Sequence, residues 1–163
     1  MKKYSKDIIV IICILIFICL DQVSKIYLAK DIMLIEGVIK FSDVRNTGGA
    51  FGIFNTSIIT IILLNIIILS LMVRFIIIKK DYMGKMVYYG LIFIITGGIS
   101  NLIDRIFRGY VVDFIDLTQI INFPVFNLAD IILVCGWALL IIGVAKDLRS
   151  NSSVKRDCQK GRA

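Results

Sequence analysis

Asp7-Ile8-Ile9-Val10-Ile11-Ile12-Cys13-Ile14-Leu15-Ile16-Phe17-Ile18-Cys19-Leu20-Asp21 decides the fold. No charged or amide side chain interrupts it between Ile8 and Leu20, and apolar character persists through Val23 and Ile26 to about Ala29. At about 1.5 Å per residue such a run crosses the roughly 30 Å hydrocarbon core of a bilayer as a helix. Lys2, Lys3 and Lys6 before it would also suit a cleavable leader. Cleavage needs small residues at its site, and Phe17-Ile18-Cys19-Leu20 offers none, so the segment is read as a permanent span.

Three further runs have the same character. Ser57 to Ile78 carries only Asn65 and Arg74 as strongly polar interruptions, both read as structural or interfacial. A third run begins near Met86 and stays apolar until Asn101 and Asp104, and a fourth covers about Phe126 to Ala145, with Pro124 placed to set its start. With 58% hydrophobic residues among 163, the chain is read as an all-α membrane protein of four transmembrane helices. Residues 1–149 form its single domain, and the basic stretch 150–163 is expected to be a loosely ordered cytoplasmic tail.

The net charge of +7 has a topological meaning. Lys2, Lys3 and Lys6, then Lys79, Lys80 and Lys85, then Lys146, Arg149, Lys155, Arg156, Lys160 and Arg162 all fall on one side of a four-span chain. That side is the cytoplasm, so both termini are cytoplasmic and the Asn46 and Asp113 connections lie outside. The same distribution argues against a nucleic-acid partner, which would call for a basic stripe on a soluble fold. The absence of His excludes imidazole-dependent nucleophilic and zinc sites, and the 4 cysteines lack metal-ligand spacing. No metal or cofactor is expected.

Depth along the helices supplies the functional clue. Counted from the cytoplasmic boundary, Asp21 stands about 21 Å up, Asn101 about 22 Å, Asp130 about 24 Å and Asp104 about 27 Å. An Asp at the centre of a span costs about 2.5 to 3.5 kcal/mol on insertion scales, less near the interface. Acids from three helices at one level therefore point to a shared polar site just below the outer interface. Asp21 and Lys25 are spaced i, i+4, Asn101, Asp104 and Arg105 share a face, and Asn127 and Asp130 are i, i+3.

Each of these has a plainer reading when taken singly. Asp21 with Lys25 suits an interfacial ion pair, Asp104 with Arg105 a helix end, Asn127 and Asp130 the start of a helix, and Asp113 a solvated loop acid. Gly48, Gly52, Gly97 and Gly98 suit turns or helix packing. Convergence is what favours a site. Outside the membrane, Val38 to Arg45 reads as one or two short strands, and Arg108 to Leu117 as a membrane-surface connection.

Taken in order, Asp21-Gln22-Val23-Ser24-Lys25, Asn46-Thr47-Gly48-Gly49-Ala50-Phe51-Gly52, Gly98-Ile99-Ser100-Asn101-Leu102-Ile103-Asp104-Arg105, Gly109-Tyr110-Val111-Val112-Asp113-Phe114-Ile115 and Phe126-Asn127-Leu128-Ala129-Asp130 resemble the motif series of bacterial lipoprotein signal peptidases, the signal peptidase II family. Ser100 stands where that family often has glycine, and Thr47 where proline is frequent.

The resemblance implies an aspartic endopeptidase of the bacterial cytoplasmic membrane, with its active site near the outer leaflet. Such an enzyme cleaves prolipoproteins before the diacylglyceryl-modified cysteine. It implies Asp113 and Asp130 as the catalytic pair. Asp21, Lys25, Asn46, Gly48, Asn101, Asp104, Arg105, Asn127 and Ala129 would line or support the site. It further implies a small extracytoplasmic β-sheet cradling the substrate and a mobile segment over the site, with Val38 to Arg45 and Gly109 to Thr118 as candidates. Partners would be prolipoproteins and membrane lipids, with the chain a monomer. The competing classes are a small ion or proton transporter, whose acids would string along a path through the bilayer, and a non-catalytic lipid-binding or assembly protein, which needs no acid pair.

Overall fold

The computed structural model describes the backbone of residues 2–48 and 57–160, and the side chains of 7–48 and 57–149. Four long helices carry the chain: α1 (Lys2–Leu28), α2 (Ile58–Lys79), α3 (Lys85–Arg108) and α4 (Leu128–Lys160). Each contains a stretch long and apolar enough to span a bilayer. The helix α3 is central and half buried, whereas the apolar side chains of α1, α2 and α4 mostly face outward, as lipid-facing helices must. Three strands, β1 (Ile32–Ile35), β2 (Ile39–Asn46) and β3 (Val111–Asp116), form one antiparallel sheet in the order β1-β2-β3. Both connections that supply strands leave the helical bundle at the same end.

Close packing of α3 on α4 fixes the frame. A Cβ added at Gly97 would lie 2.5 Å from the Ala129 carbonyl oxygen, and one at Gly90 would lie 2.7 Å from the Leu140 nitrogen. Only glycine permits backbones to approach so closely, which is how helices gain dispersion contact where lipid offers no hydrophobic driving force. The helix α3 stops at Gly109, whose φ of 78° ends it in the left-handed cap that glycine adopts without strain. The chain then turns directly into β3.

Three features go beyond or differ from expectation. Arg108 to Leu117, read as a membrane-surface connection, contains a strand, β3, paired to β2 with Val44 opposite Asp113 and Arg45 opposite Val112. Phe114, 1% exposed, packs edge-on against Phe41 with ring centroids 5.9 Å apart, so this candidate for a mobile segment is instead part of the sheet's core. Secondly, α4 begins at Leu128, two residues beyond the expected start near Phe126, because Asn127 caps it and Phe126 is held in an isolated bridge to Ile115; Pro124 stands before the helix, as read from sequence. Thirdly, the α4 backbone runs on to Lys160, into the stretch expected to be loosely ordered. Extending an existing helix needs no new nucleus, and neither Gly nor Pro intervenes before Gly161. Gly49, Ala50, Phe51 and Gly52 of the second motif lie outside the described residues.

Candidate active site

Lys25 on α1 is buried beneath the sheet, and its ammonium is the hub of a closed cluster. It lies 2.7 Å from Asp21 Oδ2 and 2.8 Å from Asp104 Oδ2, and it donates to Asn101 Oδ1 at 3.0 Å. Asp21 also accepts from the Ser100 hydroxyl at 2.6 Å and from the Ala129 backbone N–H at 2.9 Å. Asp104 is shared with Arg108 and the Val112 N–H. Lys25, Asp21, Asp104 and Ser100 are all essentially inaccessible to solvent. Two carboxylates against one central ammonium and one peripheral guanidinium leave this cluster balanced in charge. Buried charges persist only when paired in this way.

A second pair of acids sits beside it with different partners. Asp113 on β3 accepts from Asn127 Nδ2 at 2.6 Å and from Asn46 Nδ2 at 3.0 Å. Asp130, in the first turn of α4, accepts from Asn101 Nδ2 at 2.9 Å and from the Asn127 backbone N–H at 3.1 Å. Asn127 Oδ1 returns a bond to the Asp130 N–H at 3.0 Å, closing a reciprocal capping box at the helix start. Asn127 thus holds one acid with its side chain and the other with its backbone. Among the described residues, every direct donor to these two carboxylates is a neutral amide.

Both acids line a cavity of about 460 Å³. Asn46, Asn101 and Arg105 complete its polar end, and Leu64, Ile68 and Met72 of α2 and Leu133 and Trp137 of α4 form apolar walls. Burial, opposed by the Asn46 hydrogen bond and reinforced by the nearby Asp130 charge, pushes the Asp113 carboxyl up to about 6. A carboxyl so placed exchanges a proton near neutral pH, as general acid–base chemistry requires. Among the described residues, no three His, Cys, Asp or Glu side chains converge as metal ligands.

The residues singled out from sequence converge, with some changes of partner. Of the two partners open to Arg105, Asp104 or a group across the bundle, it takes the second, and Arg108, one turn beyond Asp104, takes that carboxylate. Arg105 reaches the Asn101 and Gly48 carbonyls at 3.3 Å each, and among the described residues its buried Nε has no partner. Gly48 also donates its N–H to Asn46 Oδ1 at 3.1 Å, linking the end of β2 to the acid pair. Ser100 was legible only as a departure from the motif, yet it lies four residues before Asp104 and so on the same helical face. Asn65, read as structural or interfacial, lines the cavity itself.

Comparison with known proteins places this arrangement. A family model described as signal peptidase (SPase) II matches residues 13–146. The lipoprotein signal peptidase of Clostridium tetani (strain Massachusetts / E88) is 39% identical over 145 residues, covering 84% of this chain and 92% of that protein. That of Lactococcus lactis subsp. lactis (strain IL1403) is 34% identical over 148 residues, covering 87% of this chain and 97% of its own. A solved structure described as a bacterial membrane enzyme, obtained by the in meso method at 2.3 Å resolution, superposes with a TM-score of 0.75 at 31% identity. It covers 85% of this chain and 88% of that one.

Proposed function

The chain belongs to the signal peptidase II family, and from that premise we propose that Asp113 and Asp130 are the catalytic pair of an enzyme that cuts prolipoproteins just before their diacylglyceryl-modified cysteine. It is a multi-pass membrane hydrolase of the aspartic type that removes signal peptides from prolipoproteins. The observation that carries the residue assignment is the pair's setting: two carboxyls on one cavity, held together through Asn127, with only neutral amides as direct donors among the described residues. Two acids so placed do not both ionise easily, and in the reactive state they share one proton, which a carboxyl pushed up to about 6 can take up near neutral pH.

The chemistry follows from that shared proton. The ionised member takes a proton from a water molecule as its oxygen attacks the scissile carbonyl carbon. The protonated member gives its proton to the carbonyl oxygen, producing a neutral gem-diol. Collapse of the diol breaks the C–N bond: the leaving nitrogen takes a proton from one carboxyl, a diol hydroxyl gives its proton to the other, and the pair returns to its single-proton state. The pair titrates as a unit, and the roles belong to it jointly.

Asp21, Lys25, Asp104 and Ala129 support the pair from behind, while Asn46, Gly48, Asn101, Arg105 and Asn127 orient it. The signal peptide enters from the lipid between α2 and α4, the helices whose apolar side chains flank the cavity. Residues 1–149 make one domain with both termini cytoplasmic, the basic stretch 150–163 extends it on that side, and the sheet caps the site at the outer leaflet. The enzyme works as a monomer and takes no nucleic acid. The transporter alternative lacks support, since the buried acids gather at one level and do not follow a path through the bilayer.

The test is cleavage of a lipidated prolipoprotein by the purified chain in detergent, beside Asp113→Asn and Asp130→Asn. Each single variant should lose cleavage while remaining folded. Turnover retained in either one removes that residue from the pair.

A further inference from the structure

Asn65 belongs to none of the networks above. It lies two turns into α2 from Ile58, about 10 Å down the helix. Ile61, Leu64, Ile68, Leu69 and Met72 line the same cavity, so Asn65 is the polar member of a stripe at i, i+3, i+4 and i+7 spacing that faces the acid pair's chamber. It is half-buried, and among the described residues its carboxamide makes no hydrogen bond. Too short to reach an interface as Lys or Arg does, an Asn at this depth has only the cavity to turn to. Leaving an amide unpaired there is unfavourable, and nothing in the helical packing compensates it.

We propose that Asn65 is a substrate-binding residue whose carboxamide pairs with one main-chain peptide unit of the signal peptide beside the scissile bond. The proposal rests on the peptidase reading of the cavity. A signal peptide arriving from lipid as a helix must open by about a turn before a carbonyl is exposed to attack, and each peptide unit released loses its helical partner where lipid offers none. A carboxamide offers a donor and an acceptor side by side, the same complement as a peptide unit. Asp113, Asp130, Asn46 and Arg105 serve the scissile unit at the polar end. Asn65, on the α2 wall, serves a neighbouring one and so positions the opened segment.

The experiment compares wild type with Asn65→Leu, nearly equal in size, on lipidated prolipopeptides that each carry one ester in place of a peptide bond in the turn before the cleavage site. An ester deletes one N–H with little change of shape. Asn65→Leu should lower kcat/KM about 10-fold on the all-amide peptide. Its thermal stability in detergent should be unchanged or higher, because no partner among the described residues is lost. At one position the ester should cost wild type a similar factor and cost Asn65→Leu nothing. Asn65→Gln, which keeps both groups, should recover part of the loss. Equal ester sensitivity in the two proteins, an unchanged kcat/KM in Asn65→Leu, or a loss that follows falling stability would each overturn the assignment. If wild type cleaves no lipidated prolipoprotein at all, the peptidase reading falls and takes this proposal with it; cleavage by wild type with an indifferent Asn65→Leu fells the Asn65 assignment alone.

Discussion

Two pairs of aspartates share one level of this molecule and are treated in opposite ways. Asp21 and Asp104 are sealed from solvent against the Lys25 ammonium, with hydroxyl, backbone and guanidinium donors satisfying their remaining lone pairs. Asp113 and Asp130 face a cavity and, among the described residues, receive amides alone, although Lys25 and Arg105 are close by. Lys25 spends its charge on the first pair, and Arg105 turns to two carbonyls. Counter-ions fix protons: an acid bound to a cation keeps its charge and builds structure, whereas an acid given only neutral donors remains free to trade a proton. Reaction and scaffold are thus separated by the kind of partner and not by depth.

The separation breaks most sharply if the cavity acids are neutralised. Asp113→Asn or Asp130→Asn should lower turnover of a lipidated prolipoprotein by about 100- to 10,000-fold, with the double variant little worse than either single one, because groups acting as a unit are non-additive. Thermal unfolding of the singles in the same detergent should shift little or upward, since one of two mutually repelling acids is gone. A large loss of stability would move the residue into the structural pair.

Lys25→Met tests the other side. It strands Asp21 wholly and Asp104 in part, and removing one partner of a buried pair typically costs about 3–5 kcal/mol. The variant should unfold far below wild type or fail to accumulate, where Asp113→Asn does neither. Ser100→Ala removes one hydroxyl donor from Asp21 and exposes no unpaired charge. A loss of about 1–2 kcal/mol is expected, read as a lowered thermal midpoint with most turnover retained.

The smallest effect is a difference of slope. Asp113 keeps its proton up to about 6 in the folded chain against 3.8 ordinarily, so the folded state binds the extra proton across that window and its stability falls as pH rises from about 4 to 6. Asp116, three residues along the same strand, is shifted the other way. Burial would raise it, but hydrogen bonds from Thr118, Lys40 and Ser42 outweigh burial and hold it below the ordinary range. Its contribution is present above about pH 4 and lost on acidification. Asp113→Asn should therefore flatten the fall between pH 4 and 6, and Asp116→Asn should converge on wild type as pH drops below 4. Matching slopes in the two variants would show that the strand does not distinguish its acids.

The four spans were legible because lipid exposure demands unbroken apolar runs, and counting depth along them found the layer that holds Asp21, Asn101, Asp104 and Asp130. The strand β3 escaped because both its faces are buried. Val111-Val112-Asp113-Phe114-Ile115-Asp116 shows no alternation, and its acids recur with a period of three. The bridging role of Asn127 was illegible for a related reason: it depends on β3 lying against the start of α4, a contact that no local spacing encodes. Arg108 was legible as a partner of Asp104 from its i+4 spacing alone. Asn65 stood out as a polar break, but which face of α2 meets the cavity is decided by packing.

The clamp at the start of α4 has a consequence for how the chain tolerates change in length. Phe126 exchanges backbone bonds with Phe114 and Ile115, Asn127 holds Val112 and Asp113, and Asp116 ties back to Thr118. Both ends of the connection from Leu117 to Pro124 are therefore anchored to the same strand, and the separation of the two acids does not depend on how many residues lie between. That connection is an insulated insertion point: lengthening it near Gln119 to Ile121 enlarges a closed loop at a modest entropic cost and leaves Asp113 and Asp130 in register.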